Sequence, residues 1–83
     1  MSLDEVQGQI LSDMQAVEEL EAKLNETKNS ISEVAGQLEA LNSGNAGSVR
    51  NAEATYDTLL STAAALKQQA EEASTHISAA QNN

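Results

Sequence analysis

Asn42-Ser43-Gly44-Asn45-Ala46-Gly47-Ser48 is the stretch on which the reading of the fold depends. It gathers two glycines, two asparagines and two serines, with no large apolar residue among them. Gly and Asn tolerate left-handed backbone angles, and Ser competes for backbone hydrogen bonds, so the cluster reads as a turn. Asn42, Gly44 and Gly47 are the residues expected to shape it. The cluster sits at the middle of an 83-residue chain, and both flanks read as helix. The expected fold is all-α: a single antiparallel two-helix hairpin over residues 1–83, with a helix over 3–41, a turn over 42–48 and a helix over 49–81.

Outward from the turn, a seven-residue repeat runs through both arms. In the first arm Leu3, Ile10, Val17, Leu24, Ile31 and Leu38 recur at every seventh position, all aliphatic. Three residues after each come Val6, Asp13, Leu20, Thr27, Val34 and Leu41. With the first row as a and the second as d, the heptad predicts a coiled-coil-like seam. Asp13 interrupts it near the helix end, where Met14 is placed to take over; the alternative is a polar residue that selects register or partner. Thr27 is expected to bond back to its own helix. In the second arm Val49, Tyr56, Ala63, Ala70 and Ile77 form the first row, and Ala52, Leu59, Leu66, Ala73 and Ala80 the second. Ser2 and Glu5 have the spacing of a capping box at the first helix start, and Ser48 is the expected N-cap of the second.

Folding the arms at the cluster predicts that residues whose numbers add to about 90 face each other, as in a short-looped αα-hairpin. Leu38 then meets Ala52, Ile31 meets Leu59, and Leu24 meets Leu66, so large side chains lie over small ones. The intramolecular seam is read as Leu3, Ile10, Val17, Leu24, Ile31, Leu38, Tyr56, Leu59, Leu66 and Ile77. Leu11, Met14 and Leu60 lie beside it and widen the apolar stripe. One pair of helices buries a narrower stripe than a bundle of four does, so these three are expected to join two hairpins into a dimer.

Composition supports helix and narrows function. Pro, Cys, Phe and Trp are absent and Tyr56 is the one aromatic residue. Pro and Gly disfavour helix interiors, and only four Gly occur. A core of Ala, Leu, Val and Ile in so short a chain is thin, and with no cysteine a disulfide cannot reinforce it. The formal net charge of −9 repels nucleic acid and anionic membranes. No apolar run reaches the roughly 18 residues of a membrane span. Met1 to Glu5 are acidic and no uninterrupted apolar segment follows, so a cleavable secretory signal is not expected.

No catalytic constellation is legible. Nucleophilic or acid–base chemistry needs convergent groups in a cleft, and the sequence has one histidine, His76, and no cysteine. The pairs Glu18–Glu19 and Glu71–Glu72 diverge by about 100° on a helix and read as solvated faces rather than a metal site. No catalytic residue, metal or cofactor is expected.

The layout resembles the small WXG-type (ESAT-like) proteins of type VII secretion. The similarity runs from Leu41-Asn42-Ser43-Gly44 through Ser48, Ala52, Ala54, Tyr56, Leu59, Leu60 and Leu66. Leu41 stands near the place of that family's tryptophan and Gly44 near that of its glycine. The resemblance implies a non-enzymatic secretion substrate or secretion partner, exported without a cleavable signal peptide. It implies dimerisation with itself or a paralogous hairpin, and contact with a secretion ATPase or a secreted toxin. The alternative is a cytoplasmic coiled-coil adaptor or chaperone-like interaction protein. The Ala/Gln/Glu texture of Ala64 to Glu72 leaves a chemoreceptor-like helical segment open as well.

Overall fold

The structure, a computed structural model, describes residues 1–82. Two helices make it up: α1 (Leu3–Ala40) and α2 (Ala46–Gln81). They pack side by side as an antiparallel hairpin 64 Å long and 14 Å in each cross-section. No strand occurs among the described residues.

Helix α1 starts where Ser2, in extended conformation, accepts the Glu5 backbone N–H on its hydroxyl at 3.1 Å. Asp4 and Glu5 in the first turn complement the positive end of the helix dipole. Its C-terminus closes through two bonds. Asn42 N–H donates to Glu39 C=O at 3.0 Å, and Ser43 N–H donates to Leu38 C=O at 2.9 Å. This is the Schellman pattern, which requires a left-handed residue between the helix and the departing chain. Asn42 supplies it, at φ 53°.

Two expectations about the turn are corrected here. Gly44 and Gly47 do not provide the left-handed conformation, because neither has positive φ. Helix α2 begins at Ala46 rather than Val49, with Asn45 in the N-cap position, so Ser48 lies inside its first turn. The Ser43 hydroxyl accepts the Asn45 N–H at 3.2 Å, and the Ser43 carbonyl accepts the Ala46 N–H at 3.3 Å. These bonds start the helix early and shorten the connection to Leu41–Asn45.

The shorter connection shifts the register. The numbers of Lys28 and Asp57, of Lys67 and Glu18, and of Gln81 and Asp4 each add to 85. Facing residues therefore add to about 84–85 in place of the 90 expected from a longer turn. This register puts Leu24 opposite Leu60, Ala35 opposite Val49 and Ala70 opposite Met14.

The row three residues after Leu3 is also corrected. Ile10, Val17, Leu24, Ile31 and Leu38 are half-buried, as are Val49, Tyr56, Ala70 and Ile77, and Ala63 is buried. Their companion row between the helices lies four residues on: Gln7, Met14, Glu21, Lys28 and Ala35 in α1, and Glu53, Leu60, Lys67 and Ser74 in α2. Leu20, Val34, Leu41, Leu59 and Leu66 stay exposed, with 40–77% of their surface in solvent. Asp13 and Thr27 lie outside the seam, so they do not interrupt it. Among the described residues the buried apolar ones are Ala35, Ala46 and Ala63, and no large side chain is fully buried.

Candidate interaction surface

The two flanks of the seam differ in chemistry. On a supercoiled helix of 3.5 residues per turn, residues three and four further along lie about 50° to either side of a central row. The structure turns the four-residue row inward, and the polar side chains next to it bind across the hairpin. Lys28 Nζ meets Asp57 Oδ1 at 2.5 Å. Lys67 Nζ meets Glu18 at 3.4 Å and Glu21 at 3.9 Å. Gln7 Nε2 donates to Ser78 Oγ at 2.8 Å and to the Ser74 carbonyl at 3.1 Å, while Ser74 Oγ donates to Gln7 Oε1 at 2.9 Å. Gln81 donates to Asp4 at 2.6 Å.

Arg50 is the strongest clamp on this flank. It donates from Nη2 and Nε to the two Glu39 carboxylate oxygens at 2.6 and 3.1 Å. From Nη1 it donates to Glu53 at 2.9 Å and to the Ser32 hydroxyl at 3.3 Å. A two-bond guanidinium–carboxylate contact is both stronger and more directional than a single one. Its hydrogen bonds hold the Glu39 carboxyl below the usual range. The Glu53 carboxyl is lowered by Arg50 first and Ser32 second. The Lys28 ammonium is raised, chiefly by its hydrogen bond to Asp57. Glu39 and Ser32, seven residues apart on α1, both reach Arg50, so the row one residue after the central one lies on a single side of the hairpin in both helices.

The opposite flank carries the three-residue rows: Val6, Leu20 and Val34 from α1, and Leu59, Leu66 and Ala73 among those from α2. Of the thirteen acidic residues, Asp13 alone falls on these rows. The other carboxylates lie within the seam, on its polar flank or on the outer faces. Lys28, Arg50 and Lys67 all bridge the helices on the polar flank, whereas Lys23, next to the apolar rows, makes no ion pair among the described residues. The result is an amphipathic hairpin with one charged long side and one apolar long side.

The residues expected to carry a dimer divide between these environments. Met14 and Leu60 are half-buried between the helices, opposite Ala70 and Leu24. Leu11 is exposed but stands on the charged flank, between Asp4 and Glu18. Leu3, Leu59 and Leu66, expected within the seam, are each at least 40% exposed. The wider apolar surface is thus the row that sequence reasoning assigned to the interior. Its signal was present in the sequence as the three-residue spacing, but that spacing does not say which neighbour covers it.

Among the described residues no other feature competes as a site. His76 is exposed. Among the described residues no group of three or more His, Asp or Glu is placed to hold a metal ion. The open notch between the helix ends is lined by Ser2, Leu3, Asp4, Ala80 and Gln81, which include no nucleophile–base pair. Among the described residues no helix is long and apolar enough to cross a membrane. Comparison with protein-family models, with curated proteins and with solved structures returns no match.

Proposed function

We propose that the chain is a non-enzymatic helical-hairpin protein that works by docking its apolar long side onto another helical protein, as WXG/ESAT-like type VII secretion substrates and partners do. One observation carries the reading: Leu20, Val34, Leu59 and Leu66 are exposed along one side, while the cross-helix ion pairs lie on the other. Scattered exposed leucines are ordinary, but a contiguous apolar side on a charged chain marks an interaction surface. The hairpin itself and the turn at Leu41 to Gly44 agree with the secretion reading.

Export is the deciding property. The protein should appear in the culture medium of its source cells, and deletion of the membrane-bound secretion ATPase should abolish that appearance. Equal amounts in the medium with and without the ATPase would remove the secretion reading. A cytoplasmic adaptor is the second reading, favoured by Leu41 standing where the secreted family has tryptophan. In that case the chain stays in the cell, bound to a helical partner through the same side.

A further inference from the structure

We infer that the hairpin is built to open at the end away from the turn. Gln7 is a latch across that end, and on its release residues 3–14 of α1 and 70–81 of α2 part as one unit while the rest stays paired. The device is independent of what docks on the apolar side.

The two ends are held by different forces. Every ion pair among the described residues lies between the level of Glu18 and the turn: Lys67 with Glu18 and Glu21, Lys28 with Asp57, and Arg50 with Glu39 and Glu53. So do the buried alanines, Ala35, Ala46 and Ala63. At the distal end the apolar side chains, among them Ile10, Met14, Ala70 and Ile77, are half-buried and none is buried. That end is closed by hydrogen bonds, most of them through one side chain. The Gln7 amide donates to Ser78 Oγ and to the Ser74 carbonyl, and accepts from Ser74 Oγ. One residue of α1 thus grips a full turn of α2. The remaining link, Gln81 to Asp4, is exposed. Such bonds contribute modestly, because water competes for both partners.

Charge loads the same end against the latch. Asp4, Glu5, Asp13, Glu71 and Glu72 belong to it, and neither Lys nor Arg does. The register sets Asp13 and Glu72 at one height, since their numbers add to 85 as those of Lys67 and Glu18 do. Neither segment is strongly helical by itself. Gly8 weakens α1, while Ser74, Thr75, His76 and Ser78 are modest helix formers in α2. No basic residue stands in the last turn of α2 to complement its dipole. Salt screens repulsion at the distal end and attraction near the turn alike. The two ends therefore answer ionic strength with opposite signs: salt closes the distal end and loosens the ion-paired one.

Amide hydrogen exchange on the full chain tests the device. Residues 7–14 and 70–78 should exchange at a common rate, faster than residues 24–38 and 49–63. Gln7→Ala should speed exchange at residues 74–78 roughly tenfold and leave residues 24–38 unchanged. Alanine is the better helix former, so faster exchange in that variant reads the lost cross-helix bonds. Raising NaCl from about 0.01 to 0.1 M shortens the screening length from about 30 to 10 Å. It should slow distal exchange and leave exchange near Arg50 unchanged or faster. Glu71→Gln with Glu72→Gln should slow distal exchange at low salt. Leu66→Asp, which places a charge on the apolar side, should keep the gradient. Equal protection from end to end overturns the inference, as does a Gln7→Ala effect confined to α1. So does salt that speeds distal exchange or leaves it unchanged. A gradient that vanishes in Leu66→Asp belongs to association and overturns it equally.

Discussion

Asn42 and Arg50 hold the closed end of the hairpin by unrelated means, and each yields a test. At φ 53°, Asn42 occupies a region that Gly accepts freely, Asn tolerates and β-branched residues resist. Asn42→Val is therefore expected to lower stability by about 1–2 kcal/mol, and Asn42→Gly to leave it unchanged or raise it, by thermal denaturation. Gly44→Ala and Gly47→Ala should be tolerated, since neither glycine has positive φ and an added Cβ meets nothing within 4 Å. That a turn lies here is legible from composition alone. Which residue takes the left-handed position is not, because Asn and Gly both can and the choice follows from where the Leu38 and Glu39 carbonyls find donors. Arg50 acts through charge. Glu39 and Glu53 have lowered folded-state values, so their contribution is present above the ordinary glutamate range and is lost as pH falls through those lowered values. The gap in melting temperature between the native chain and Arg50→Gln should thus be open at neutral pH and close on acidification. A gap that persists at pH 2 would mean that Arg50 acts by packing instead.

Between the helices, adjacent leucines have different roles. Leu60 is half-buried opposite Leu24, whereas Leu59 is 40% exposed on the apolar side. At concentrations low enough to keep hairpins separate, Leu60→Ala should cost about 1–3 kcal/mol, toward the low end of the range for a buried leucine. Leu59→Ala should stay within about 0.5 kcal/mol under the same conditions. Urea denaturation of the two variants side by side reads the difference, and equal losses would contradict the placement of the seam. The sequence spacing makes the central rows plain, since Leu3 to Leu38 and Val49 to Ile77 repeat without a break. It cannot choose between flanks that lie symmetrically to either side. On the flank that the structure turns inward stand cross-helix partners such as Lys28 with Asp57 and Gln7 with Ser78, which only the register brings together. By hydrophobicity alone the three-residue rows would be the buried ones; the structure instead turns the four-residue rows inward and leaves the more apolar flank exposed. Gly8 and Gly36 show the same separation of fold from optimisation. Space around both is open, so Gly8→Ala and Gly36→Ala should each raise the melting temperature, by up to about 1 kcal/mol of helix propensity.

For the molecule as a whole, the thin buried core bears on the proposed docking of the apolar side. The buried apolar residues are three alanines, and chains of this size bury a low fraction of their surface even with a full core. Cross-helix ion pairs cannot make up the difference, because exposed pairs contribute at most about 1 kcal/mol each. A second copy docked on the apolar side would add a further layer, and unfolding would then be a reaction of two folded chains giving two unfolded ones. Its midpoint must rise with protein concentration. Each tenfold increase favours the dimer by about 1.4 kcal/mol, and the unfolding entropy of two such chains is about 0.35 kcal/mol per kelvin, so the midpoint should rise by about 4 °C. Calorimetry over a hundredfold range of concentration measures this directly. Leu66→Asp should remove the dependence and lower the midpoint at high concentration, while leaving α1 and α2 helical at low temperature. A midpoint independent of concentration in the native chain would place its stability within the single hairpin, and would require the half-buried seam to suffice without a second layer.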